Sequence, residues 1–241
     1  MASAGASGLR PSAAPEPPLR IVYSAPIVAV DPVKAKLRGV FHEIGFFVAV
    51  ALAVPLIWTA HAGKARTSAI VFSLCVAGCF GISALYHRPT WSPRVRPWLR
   101  RLDHAGVYLL IAGTYTPFGL LVLSRAWAIP VLAVVWSGAA LAILLKVFWV
   151  GAPKWLAAAF GLALGWAGVS AVSQFLKLPV LALVLIAAGG LFYTAGAVIY
   201  ARGRPDPRPR TFGYHELFHV LTLAAAGCQY AAIAFFVLPR G

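Results

Sequence analysis

Apolar windows long enough to cross a membrane recur along this chain, and they leave it few folds. Seven fall at about residues 39–61, 67–87, 103–123, 127–149, 154–174, 179–200 and 214–238. A hydrocarbon core of ~30 Å is crossed by ~20 helical residues, and inside it every backbone N–H and C=O must find a partner within its own segment. The alternating pattern of a membrane β-barrel is missing. The expected fold is therefore all-α, a seven-transmembrane helix bundle over residues 37–241, in a multi-pass protein of the plasma membrane. With 61% hydrophobic and only 11% charged residues, composition excludes an ordinary soluble domain. Residues 1–36 are rich in Ala, Ser and Pro and lack a secretory signal, so they are expected to form a disordered cytoplasmic tail ahead of an uncleaved anchor helix.

A net charge of +15 over 21 Lys and Arg invites a nucleic-acid reading, but the positions of the charges argue against it. Sixteen basic residues fall on the amino-terminal side of the expected spans: Arg10, Arg20, Lys34, Lys36 and Arg38; Arg88, Arg94, Arg96, Arg100 and Arg101; Lys146 and Lys154; and Arg202, Arg204, Arg208 and Arg210. Five (Lys64, Arg66, Arg125, Lys177 and Arg240) fall on the other. Positive loops stay in the cytoplasm, so the amino terminus is expected inside and the carboxyl terminus outside. The basic loops then face anionic lipid headgroups, and no nucleic-acid partner is expected.

Polar residues inside the spans are rare, and each is costly in lipid, so they mark functional positions. Ser83 and His87 close the second span, Asp103 opens the third in "RRLDHAGVYLL", and His215 and His219 begin the seventh in "YHELFHV". The crossing order puts all five in the cytoplasmic leaflet, although the topology rests on Lys and Arg alone. Cys75, Cys79, Ser83 and His87, spaced by four, form one stripe expected to face protein rather than lipid. The three cysteines all lie within spans and suit packing better than a disulfide framework.

His215 and His219 leave one helix face a turn apart, a common way to offer two nitrogens to one metal, and His87 is the candidate third ligand. Three neutral imidazoles with an open position are the pattern of catalytic zinc. Asp103 would hold or deprotonate a water there, and Ser83 would orient toward that water or a reacting carbonyl. Singly, each residue has a structural explanation: Asp103 as N-cap of the third span, Ser83 bonded to its own helix, His87 as an interfacial residue. Together on one leaflet they favour a metal site. His61 falls on the opposite side, and His104 points about 100° away from Asp103. His42, Glu43 and Glu216 stay unassigned.

These residues carry a resemblance. "SALYH" at 83–87, Asp103 ahead of "LLIAGTYTP" at 109–117, and "HELFH" at 215–219 are similar to motifs of the hemolysin III branch of the progestin and adipoQ receptor family, which includes the adiponectin receptors. The resemblance spans about residues 37–238. It implies a seven-helix bundle with cytoplasmic amino terminus and Zn2+ on His87, His215 and His219, with Asp103 engaging the metal through water and Ser83 close by. It also implies hydrolysis of the alkaline ceramidase type. In the first span the family often has "ExxNxxTH"; here "AKLRGVFHEIGF" matches it only at His42.

The leading expectation is a zinc-dependent amidase or esterase acting on a membrane lipid. A receptor or regulator in which zinc only staples helices stands beside it, followed by a cytolytic protein of the kind the family name suggests. A pore would need polar rings through the whole membrane, whereas the polar residues cluster in one leaflet. A retinal protein would need a lysine in the last span, and residues 214–238 hold none. Haem suits His215 and His219 on one helix less well than a single small ion does.

Overall fold

The computed structural model describes residue 2, residues 34–149 and residues 151–241. Residues 1 and 3–33 of the expected tail lie outside the described residues. Seven long helices follow one another: α1 (Val40–Thr59), α2 (Lys64–His87), α3 (Arg96–Leu121), α4 (Arg125–Phe148), α5 (Lys154–Phe175), α6 (Val180–Arg202) and α7 (Tyr214–Arg240). Apart from an isolated bridge between Arg208 and Phe212, the described residues contain no strand pairing. Six of the helices are long and apolar enough to cross a membrane; α3 is not among them.

The reason lies in what surrounds α3. It packs against α2, α4 and α5 and against the last turns of α7. Tyr108, Thr114 and Thr116 are accordingly buried in protein, and the two threonine hydroxyls donate to Leu110 and Ala112 carbonyls of their own helix. A helix sheathed by neighbours does not need the apolar surface that lipid demands of an outer one. The outer helices show that surface: Phe47, Leu74, Phe148, Val180 and Phe235 point outward and are exposed, an apolar exterior that a soluble protein avoids. Trp58, Trp98, Trp149 and Trp155, also exposed, sit near helix ends, where membrane interfaces favour indole rings.

α3 also starts at Arg96, seven residues earlier than the hydropathy pattern predicts, with Pro97 in its first turn. Proline is tolerated there because its ring presets φ and no N–H is needed. Asp103 is therefore two turns inside the helix. The N-cap explanation for Asp103 is removed, since that position belongs to Val95. Apolarity marks where lipid begins, not where hydrogen bonding begins, and the charged turn of Arg96, Arg100 and Arg101 hid the difference.

Small residues let the inner helices approach. A side chain at Gly106 would meet the Cys79 backbone at 3.2 Å, and one at Gly113 would overlap the Cys75 side chain. The stripe of Cys75, Cys79, Ser83 and His87 thus faces protein as expected, and Cys79, Ser83 and His87 are buried. In α5 the α-helix over Lys154–Gly165 gives way to a 3-10 stretch, Ala167–Ala171. The Tyr115 hydroxyl bridges this break, donating to the Gly165 carbonyl at 2.6 Å and accepting from the Gly168 N–H at 2.8 Å.

The basic segments meet at one end of the bundle. Lys34 Nζ donates to the Arg88 carbonyl at 3.0 Å, and the Lys36 and Leu37 N–H groups donate to the Arg210 and Thr211 carbonyls. Arg101 reaches the Val147 carbonyl at 2.9 Å, and Lys154 reaches the Tyr214 hydroxyl at 2.6 Å. Partial burial and the nearby Arg88, Arg38 and Arg96 guanidinium groups push the Lys34 ammonium below its ordinary pKa.

Candidate metal centre

Two helix ends supply the three histidines. His87 is the last residue of α2, and the helix is held closed beyond it. The Arg88 N–H donates to the Ala84 carbonyl at 2.8 Å, while the Arg88 guanidinium pairs with Glu43 at 2.7 Å. His215 and His219 lie on the first turns of α7, whose N-terminal N–H groups would otherwise be orphaned. Glu216, fully buried, turns back to accept from the Gly213 N–H at 2.8 Å, and Asp206 accepts from the Tyr214 N–H at 2.8 Å. The other Glu216 carboxylate oxygen pairs with Arg38. The turn presenting two histidines is thereby tied to the segment ahead of α1.

His87, His215 and His219 each offer a ring nitrogen, and the three atoms lie within 4.8 Å of one another. His87 Nε2 and His215 Nε2 face each other at 3.1 Å. Tetrahedral ligation with bonds of ~2.0–2.1 Å separates two nitrogens by about 3.3 Å, so these atoms stand as neighbours on one ion would. The triad, with His87 and His219 buried and His215 partly so, could hold a metal ion. Asp103 Oδ2 is 3.6 Å from the same His87 Nε2, on the ligating side of the ring rather than behind it. The Ser83 hydroxyl faces that carboxylate. All five expected site residues are thus brought together, from α2, α3 and α7.

The site closes one end of a cavity of about 470 Å³ that runs along the bundle between α3, α5, α6 and α7. Ser83, Asp103, His215 and His219 border it at this end, and Val172, Phe175 and Leu183 at the other. Its wall is mainly apolar. One end therefore offers imidazole and carboxylate groups, and the rest suits hydrocarbon.

A sequence model of the family described as "Haemolysin-III related" matches residues 31–230. The chain belongs to that family. It is 29% identical to the Hemolysin-3 of Bacillus cereus over 208 residues, covering 84% of this chain and 91% of that protein. It is 28% identical to the Hemolysin-3 homolog of Bacillus subtilis (strain 168) over 203 residues, covering 83% and 92%. The Heptahelical transmembrane protein ADIPOR2 of Oryza sativa subsp. japonica is 31% identical over 188 residues, covering 71% of this chain and 82% of the relative. The resemblance to hemolysin III and adiponectin receptor-like proteins therefore holds.

Within this haemolysin-III-related chain several residues near the triad escape a reading by type and spacing. His42, buried, stacks flat on His219 with ring centroids 3.7 Å apart and planes 5° apart, and Phe80 is 4.9 Å from it. Neither His42 nitrogen has a hydrogen-bond partner among the described residues. His104, set aside for pointing away from Asp103, also borders the cavity, because the cavity wraps a wide face of α3. Arg38 and Glu216 form a pair distant in sequence that no local pattern reveals. The glycine three residues before Glu216 was a readable cue, since a carboxylate at that offset caps its own helix start. His61 is exposed in the turn between α1 and α2, at the end away from the triad.

Proposed function

We propose that the chain is a zinc-dependent hydrolase of lipid amide or ester bonds, with zinc held by His87, His215 and His219. The observation that carries this reading is the triad beside a carboxylate, its side chain only 12% exposed, at one end of a long apolar cavity. When bound, the ion supplies Lewis acidity, which acidifies a water and polarises a carbonyl. Asp103, 3.6 Å from His87 Nε2, accepts the proton from the attacking water and returns it to the leaving nitrogen or oxygen. Ser83 donates its hydroxyl to Asp103 or to the substrate carbonyl and so fixes the carboxylate rotamer. The cavity walls hold the hydrocarbon and keep bulk water from the reacting bond. The Arg38–Glu216 pair and the His42 stack orient the ligand rings.

In this reading the protein lies in the plasma membrane with all seven helices crossing. The basic end is cytoplasmic, which puts the amino terminus and the metal site inside and the carboxyl terminus outside. Membrane lipids are its substrates and surroundings, and the basic loops contact anionic headgroups.

Release of fatty acid from a long-chain amide by the purified, reconstituted protein tests the activity. Asp103→Ala should lower turnover by about 10²-fold or more while zinc content is kept. Equal turnover in that variant would end the hydrolase reading. A second reading has its own support: the triad joins α2 to α7, as a structural staple would. Full signalling or regulatory activity without turnover, lost together with the metal, would favour it.

A further inference from the structure

We propose that the cavity carries a second polar subsite, formed by Gln229 and Tyr193, that recognises a hydroxyl on the hydrocarbon part of its ligand, far from the hydrolysable bond. This rests on the lipid reading above and adds a specificity to it.

The subsite is built rather than incidental. Gln229 on α7 is 6% exposed and borders the cavity. Its Nε2 donates to the Ile186 carbonyl of α6 at 3.3 Å. That bond decides which end of the amide is left over: Oε1, an acceptor with no partner among the described residues. Gly189 makes the arrangement fit, since a side chain there would stand 2.7 Å from Gln229 Nε2. The Tyr193 hydroxyl, on α6 and also bordering the cavity, is likewise buried and unpartnered among the described residues. The threonines along this wall are, by contrast, satisfied within their own helices. Thr222 donates to the Phe218 carbonyl at 2.9 Å, and Thr194 donates to the Gly190 carbonyl at 2.7 Å.

Buried polar groups are nearly always paired. A plain alkyl chain in this stretch would leave Oε1 and the phenol unpaired, whereas a hydroxyl there donates to Gln229 Oε1 or accepts from the Tyr193 phenol. The position follows from helix geometry. Gln229 is ten residues beyond His219 on the same helix, roughly 15 Å at 1.5 Å per residue. Tyr193 is seven residues before Tyr200, or roughly 10 Å, and the Tyr200 ring lies 6.2 Å from that of His215. The hydroxyl recognised is therefore at mid-chain, not on the headgroup.

The test is native mass spectrometry of the purified protein with equal amounts of ricinoleic acid, which bears a mid-chain hydroxyl, and oleic acid, which does not. One net hydrogen bond predicts about a three- to tenfold excess of bound ricinoleic acid. Gln229→Leu and Tyr193→Phe should each move that ratio toward one, with thermal unfolding reporting that the variants are folded. Tyr193→Phe removes a single oxygen, so it remains informative even if Gln229→Leu is unstable. Equal binding of the two acids by the wild type, or a preference that survives in the variants, overturns the subsite but leaves the lipid reading standing. Binding of neither acid overturns both.

Discussion

The two ends of the bundle are held by different forces. At the end with the histidine triad, rings and charges interlock: Arg38 with Glu216, Arg88 with Glu43, His42 against His219, and the triad itself. Toward the other end, Ala65, Ala69, Ala232, Ile233 and Val237 pack with almost no exposure, and glycines such as Gly119 leave room for a neighbour, here Leu132. Directional polar contacts fix atoms to within fractions of an ångström, and they fail when one partner is removed. Close packing tolerates polar chemistry elsewhere but not a change of volume. A site that must hold three nitrogens around one point needs the first kind of order. A bundle that must persist in lipid can rely on the second.

That contrast can be broken deliberately. His215→Ala should have the largest effect, cutting bound zinc from about one per chain toward none and lowering the unfolding temperature, because an occupied site stabilises only the native bundle. Metal analysis with thermal unfolding reads both. Acid should act in the same direction. Protons compete with the metal for the imidazole nitrogens, so the metal-linked stability is present at pH 7 and is lost as the solution is made acid. A metal content unchanged in strong acid would contradict the triad.

Next in size, Arg38→Ala leaves the Glu216 carboxylate buried without its cation and should cost about 3 kcal/mol. Zinc affinity should fall with it, because the affected turn carries two ligands. Arg38→Ala with zinc affinity unchanged would separate the pair from the site. Gly113→Leu should cost about 1–3 kcal/mol through overpacking against Cys75, read as a lower unfolding temperature with zinc content intact. Zinc lost in that variant would mean that the two kinds of order are not separable. Smallest of all, Glu43→Gln breaks an ion pair whose side chains are both about two-fifths exposed, 41% and 43%, and should change stability by no more than about 1 kcal/mol.

Much of this is legible in the sequence. The apolar windows located all seven helices, and spacing by four put Ser83 and His87 on one stripe and His215 and His219 on one face. What spacing missed has a common cause. The early start of α3 lies in charged residues that hydropathy treats as loop. His42 and Arg38 act across the bundle on residues far along the chain, 177 and 178 positions away, and neither has a local pattern that names its partner. Glu216 stayed unassigned by pattern, and only its burial shows that it needed a cation.

The sequence by itself determined that the chain is a helical membrane protein with its basic loops gathered at one end and its rare polar side chains in register with that end. Lipid forces every crossing segment to satisfy its own backbone, so composition and period suffice for that much. Tertiary structure alone decided that three imidazoles from two helices meet within a few ångströms, that Asp103 stands inside α3 on their ligating side, and that an apolar cavity leads away from them. Those are distances between segments that share no local pattern. They arise only when close packing of small residues brings the helices together.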